Sequence, residues 1–134
     1  VVSVPRQTNQ GDSVVIAYDG SLQATRAVQA FCTSGLAALP KNIHVVTMGT
    51  DNVAAHRIAD RAVEYLSFHD IKAQPHVITD AGDVAARLAL AFEELNACLG
   101  VIGCYGQSAI REFFLGSVTR SMLERATIPL FVYQ

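Results

Sequence analysis

Charge is scarce in this sequence and nearly cancels. Charged residues make up 16% of the chain, with 10 basic against 12 acidic side chains and a net charge of −2. That balance gives no electrostatic footing for DNA or RNA, so a nucleic-acid partner is not expected. Long apolar runs are missing too: none approaches the length of a membrane span, and no membrane partner is expected. No basic stretch followed by a long apolar one opens the chain, so no signal peptide is expected. Cysteine is confined to Cys32, Cys98 and Cys104, without a CxxC pair. An odd, unpatterned set excludes a disulfide framework and fits a reduced, cytoplasmic protein. The cysteines read as small apolar filling, with Cys104 set apart by its place in a glycine-marked loop.

Catalytic signatures are equally thin. His44, His56, His69 and His76 show no HExxH or other ligand spacing, and there is neither a GxSxG elbow nor a Walker A lysine. His44 and His76 fall in strands, and His56 and His69 near the two ends of a helix. All four read as structural or solvated, and no catalytic residue or metal ligand is assigned.

What is present is hydrophobic patterning. Apolar residues make up 51% of 134, enough for one domain with a real core. Residues 1–12 read as a tail or linker, and residues 13–134 as the domain. The chain opens on valine, as a processed chain or a fragment does. Val1-Val2-Ser3-Val4-Pro5 echoes Pro129-Leu130-Phe131-Val132-Tyr133. The echo suits either the last strand of a preceding, related domain or a tail with a chance cluster of valines.

Ser13 to Tyr18 is continuously apolar and β-branched, as for a strand buried on both faces. Asp19-Gly20-Ser21 then turns the chain, with Ser21 a suitable N-cap for a helix over Leu22 to Leu36. That helix carries Ala24, Ala27, Val28 and Phe31 on one face. A second strand is expected over Ile43 to Met48 and a second helix over Val53 to Phe68. A third strand follows over His76 to Thr79, with Pro75 marking an edge. Asp83 caps a third helix over Val84 to Leu95. Cys98 to Gly103 is the fourth strand, Ser117 to Arg125 the fourth helix, and Leu130 to Tyr133 the fifth strand. Strict β–α alternation implies a parallel sheet with right-handed crossovers and helices on both faces.

The stretch from Gly103 to Val118 draws the most attention. An apolar strand runs into Gly103, Gly106 follows, and nine residues later Gly116-Ser117-Val118 opens a helix. Glycines allow close backbone approach, and N–H groups at a helix start attract anions. The layout suits a phosphate chain. It also suits a plain strand-to-helix connection in which Ser117 is an ordinary cap.

This Gly-x2-Gly-x9-Gly-Ser pattern, within GCYGQSAIREFFLGSVTRSMLERATIPLFVY, resembles the nucleotide-binding motif of the universal stress protein (Usp) family. Val14-Val15-Ile16-Ala17-Tyr18-Asp19-Gly20-Ser21 is similar to that family's first strand and turn, so the likeness runs over about residues 13 to 133. The resemblance implies an open five-stranded parallel sheet in the order 3-2-1-4-5, like that of the adenine nucleotide α-hydrolases. It also implies an ATP-binding stress-response regulator whose ligand occupancy modulates a partner or dimer. Gly103, Gly106, Gly116, Ser117 and Val118 would hold ribose and phosphates, with Ile102 just before them. Ala17, Tyr18 and Asp19 would meet the nucleoside, and the Met48 backbone would read adenine. Mg or Mn is expected with the triphosphate. Pairing through Pro129 to Tyr133, as a homodimer or a tandem pair, is implied as well.

Two departures stand out. Cys98-Leu99-Gly100 replaces the usual acidic residue and aliphatic run, and the link from the second strand to the second helix is short. A structural dimerisation or tandem-partner module with an empty pocket is the competing reading. An ATP-hydrolysing or adenylating enzyme would need a longer phosphate loop than Asp19-Gly20-Ser21. Slow ATP hydrolysis is at most a side activity.

Overall fold

The fold is taken from a computed structural model, which describes residues 2–3, 11–38, 42–79, 82–103 and 128–133. Among these residues the strands and α-helices follow one another as β1 (Val2–Ser3), β2 (Ser13–Ala17), α1 (Leu22–Ser34), β3 (Asn42–Met48), α2 (Asn52–Phe68), β4 (Gln74–Ile78), α3 (Val84–Glu94), β5 (Ala97–Gly103) and β6 (Leu130–Tyr133). The helix expected over 117–125, and with it Gly106, Gly116, Ser117, Val118 and Cys104, lies outside the described residues.

Local chemistry sets the helix ends. The Ser21 hydroxyl accepts the Ala24 N–H at 3.1 Å and starts α1. Gly35, at φ +80°, ends it in the left-handed conformation that glycine adopts most readily, two residues short of the expected Leu36. A single 3-10 turn, Leu36–Ala38, follows. The Asp51 carboxylate caps α2 by accepting the Ala54 N–H at 3.1 Å. Asp83 caps α3, as expected, accepting the Ala85 N–H at 3.0 Å.

The strands form one sheet in the order β1-β6-β5-β2-β3-β4. The five from β2 to β6, numbered by themselves, stand in the order 3-2-1-4-5 and are all parallel. Among the described residues the sheet has six strands rather than five. Val2 pairs with Phe131 and Ser3 with Leu130, antiparallel, on the outer side of β6. An edge strand carries unpaired N–H and C=O groups, and β1 satisfies part of that row. At the other edge lies β4 with Pro75, where a missing N–H is tolerated.

Alternation along the strands divides the core between two faces. Val14, Ile16, Val45, Leu99 and Val101 pack with Ala27, Val28 and Phe31 of α1 and with Ala62 and Leu66 of α2. Val15, Val46, Ile102 and Leu130 pack with Ala85, Leu88, Ala91 and Phe92 of α3. The four residues expected on the inner face of α1 are its buried ones. Burying a side chain such as Phe31 is worth about 1.5–3 kcal/mol over leaving it exposed, so this seam fixes α1 on the sheet.

Candidate functional site

Ligands of doubly wound sheets bind beyond the carboxyl ends of the strands, where the connections diverge to opposite sides. Here that point lies between β2 and β5. Ala17 stands beside Ile102 in parallel register, and Ala17 also pairs with Val46 of β3. Asp19 follows β2 and Gly103 closes β5, so two stretches far apart in sequence end next to each other.

The predicted residues take different roles there. Ala17, Met48 and Ile102 share the α3 face of the sheet, together with Ile78 of β4 and Val132 of β6. Ala17, Met48, Ile78 and Val132 are only half-buried, which leaves an apolar floor partly open at this end. Ile78 is not singled out by sequence, and Val132 only as part of the pairing strand, because their place here depends on strand order. Tyr18 turns the other way: its ring packs against the α1 face, and its hydroxyl lies 3.2 Å from Thr25 Oγ1. Its N–H donates to Val46 O at 2.9 Å. The phenol is thus engaged with α1.

Asp19 is exposed, and its Oδ1 accepts the Ser21 N–H at 2.9 Å. The carboxylate therefore builds the turn as well as presenting charge at the sheet end. Gly20, at φ +79°, supplies the left-handed residue that this turn needs. Gly103 has a packing reason of its own. A Cβ there would sit 2.6 Å from the carbonyl carbon and oxygen of Gln23, so α1 approaches β5 backbone to backbone.

Two buried polar atoms accompany this arrangement. Gln23 Oε1 and Thr47 Oγ1 have no hydrogen-bond partner among the described residues. Gln23 adjoins Gly103, and Thr47 precedes Met48. A buried unpaired polar atom costs about 1–3 kcal/mol, so both atoms mark places where a further group would be welcome. The sequence held no signal for either. Among the described residues, no group of three His, Cys, Asp or Glu could hold a metal ion.

The two described cysteines behave as filling. Cys32 and Cys98 are half-buried against the α1–α2 core, and burial pushes both thiols up. A raised thiol holds less thiolate and is less reactive. The histidines hold one surprise: His44 Nδ1 and His76 Nε2 lie 2.8 Å apart across β3 and β4. Burial, then the His76 charge, pushes His44 down, and Asp12 partly offsets this. Among the described residues, no helix is long and apolar enough to cross a membrane.

Strand order and the switch point between β2 and β5 make this a doubly wound α/β domain with a 3-2-1-4-5 parallel sheet. The universal stress protein family model matches residues 47–134, and the chain belongs to that family. A universal stress protein of Synechocystis sp. is 30% identical over 97% of this chain. The chain spans only 45% of that relative's length. Among solved structures, the Archaeoglobus fulgidus universal stress protein in complex with dAMP aligns with a TM-score of 0.71 and 18% identity, over 94% of this chain and 99% of that one. A family protein from Arabidopsis thaliana with AMP bound aligns at 0.70 and 13%, over 90% of each chain.

Proposed function

We propose that this domain binds an adenine nucleotide, ATP in the first instance, in the crevice between β2 and β5, and that occupancy alters its surface for a partner. The observation that carries the reading is the convergence of the Asp19 turn and Gly103 beside a half-open apolar floor. Ala17, Met48 and Ile102 would line the nucleoside end, with Ile78 beside them. Tyr18 would contribute backbone only, and Asp19 would accept from a ribose hydroxyl or the adenine edge. Gly103, Gly106, Gly116, Ser117 and Val118 would hold the phosphates. The adenine nucleotides bound by the two structural relatives, dAMP in one and AMP in the other, support this choice of ligand class.

Mg or Mn would neutralise charge on the triphosphate. The described residues provide no cage for it, so it would rest mainly on phosphate oxygens, with Asp19 the carboxylate offered at this end. Such a regulator would work in the cytoplasm. A ligand shifts a protein between states only by binding them unequally, so the regulatory part requires a surface that differs with occupancy.

The test is calorimetric titration with ATP and Mg, beside a Gly116→Trp variant checked for intact fold. Saturable binding that the variant loses supports the reading. A well-folded, nucleotide-free protein that does not bind overturns it.

A second reading has its own observation. β1 lies antiparallel on the outer side of β6, the seat through which another domain would extend the sheet. On that reading residues 1–12 belong to a linker or a preceding related domain, residues 13–134 form the Usp domain, and the module pairs through Pro129 to Tyr133 as a homodimer or tandem half. Analytical ultracentrifugation separates the two readings. Assembly that persists without nucleotide binding favours the second.

A further inference from the structure

We propose that the facing nitrogens of His44 and His76 form a two-donor site for a divalent transition metal of the copper(II) or nickel(II) class, joining β3 to the edge strand β4. The two rings come from neighbouring parallel strands and are half-buried on the same sheet face. His44 Nδ1 and His76 Nε2 are 2.8 Å apart, with ring centroids 4.8 Å apart and planes tilted by 56°. One ring nitrogen donates to the other, so the two nitrogens face each other head-on, and each ring must turn by roughly 45° before both lone pairs aim at one metal at the corner of a right-angle arrangement.

The separation selects the metal. Imidazole nitrogens bind such metals at about 2.0–2.1 Å. Two of them at the right angle of a square-planar or octahedral centre stand about 2.9 Å apart, and at a tetrahedral angle about 3.3–3.4 Å. The observed N···N spacing matches the right-angle arrangement once both rings have turned off the hydrogen-bond line. Imidazole also suits copper and nickel, and copper(II) and nickel(II) favour tetragonal sites. Both nitrogens must present lone pairs. In the neutral pair this needs only a tautomer change, the proton moving from the facing nitrogen to the far nitrogen of the same ring, with no net proton released. The described residues add no third ligand within a cluster, so water or an outside ligand would fill the other positions. Such a site is exchangeable. It lies on two strands whose spacing the sheet holds rigid, which is what a two-donor site requires.

The test is titration of the full chain with NiCl2 while imidazole nitrogens are followed by NMR. His44 and His76 resonances should broaden together, ahead of those of His56 and His69. In calorimetry His44→Gln and His76→Gln should each weaken binding by more than roughly 10-fold, the least that losing even an outer-shell partner costs at metal sites. A His56→Gln/His69→Gln variant should bind as the wild type does. Absence of saturable binding, or earlier broadening at His56 or His69, overturns the site. The NMR experiment needs no variant, so it decides the matter even if a glutamine substitution disturbs the strand.

Discussion

Asp19 and Ser21 hold each other in a relay: the Asp19 carboxylate accepts the Ser21 N–H, and the Ser21 hydroxyl accepts the Ala24 N–H. One carboxylate thereby steadies the turn that sets the cap of α1 while standing exposed just beyond the end of β2. Asp19→Asn keeps an acceptor oxygen for the turn and removes the charge. Hydrogen bonds to charged groups exceed neutral ones by roughly 1 kcal/mol. Thermal stability should hardly move, while ATP binding weakens by about 3- to 10-fold. Equal loss of stability and affinity would show that Asp19 acts through the turn alone.

Ser21→Ala removes the cap itself. Loss of a helix cap of this kind costs about 0.5–2 kcal/mol. Urea unfolding should show that loss through a lower midpoint at unchanged slope. An unchanged midpoint would mean that the Ala24 N–H finds another acceptor.

Gly103→Ala places a methyl group against the Gln23 backbone, which cannot swing aside as a side chain could. The expected cost is about 1–3 kcal/mol, as for other overpacked positions. Gly82 is the control, because nothing lies within 4 Å of a Cβ there. Gly82→Ala should stay within about 0.5 kcal/mol of the wild type. Comparable melting temperatures for the two variants would remove the packing role given to Gly103.

The fold holds His44 below its ordinary value of 6.5, chiefly by burial and next by the His76 charge. The unfolded chain therefore takes up this proton first as pH falls, and stability falls with it. The His44 contribution should be intact above about pH 6.5, shrink as pH drops from there towards the folded value, and level off below it. Denaturant unfolding from pH 8 to pH 5 should show a steeper fall for the wild type than for His44→Gln. Parallel curves would contradict this assignment.

The architecture was legible because each strand and helix announces itself locally. Ser13 to Ala17 is apolar on both faces, and the inner faces of α1 and α2 recur at helical spacing. Ser21 and Asp83 stand where caps belong. What was not legible depends on neighbours supplied by the sheet. The inward turn of Tyr18 follows from strand parity and the packing of α1. Ile78 and Val132 reach the crevice only because β4 and β6 flank the central strands. His44 and His76 meet on a diagonal of the parallel register, His44 opposite Gln74 and His76 opposite Val46, which no spacing within either strand reveals. The two-residue β1 was hidden for another reason: so short a strand has no periodicity, and only the echo of the last strand hinted at it.

The pairing of Val2 with Phe131 ties together positions separated by almost the whole chain. Closing so long a loop carries a large entropic cost, and a two-residue ladder has few bonds to offset it. In the ensemble this seam should be among the first to part and the last to form. Amide exchange at Val2 and Ser3 would then report brief openings that leave the rest of the sheet intact. Each opening uncovers the backbone of β6, so the lifetime of that short ladder sets how often the far edge of the sheet is available to another strand.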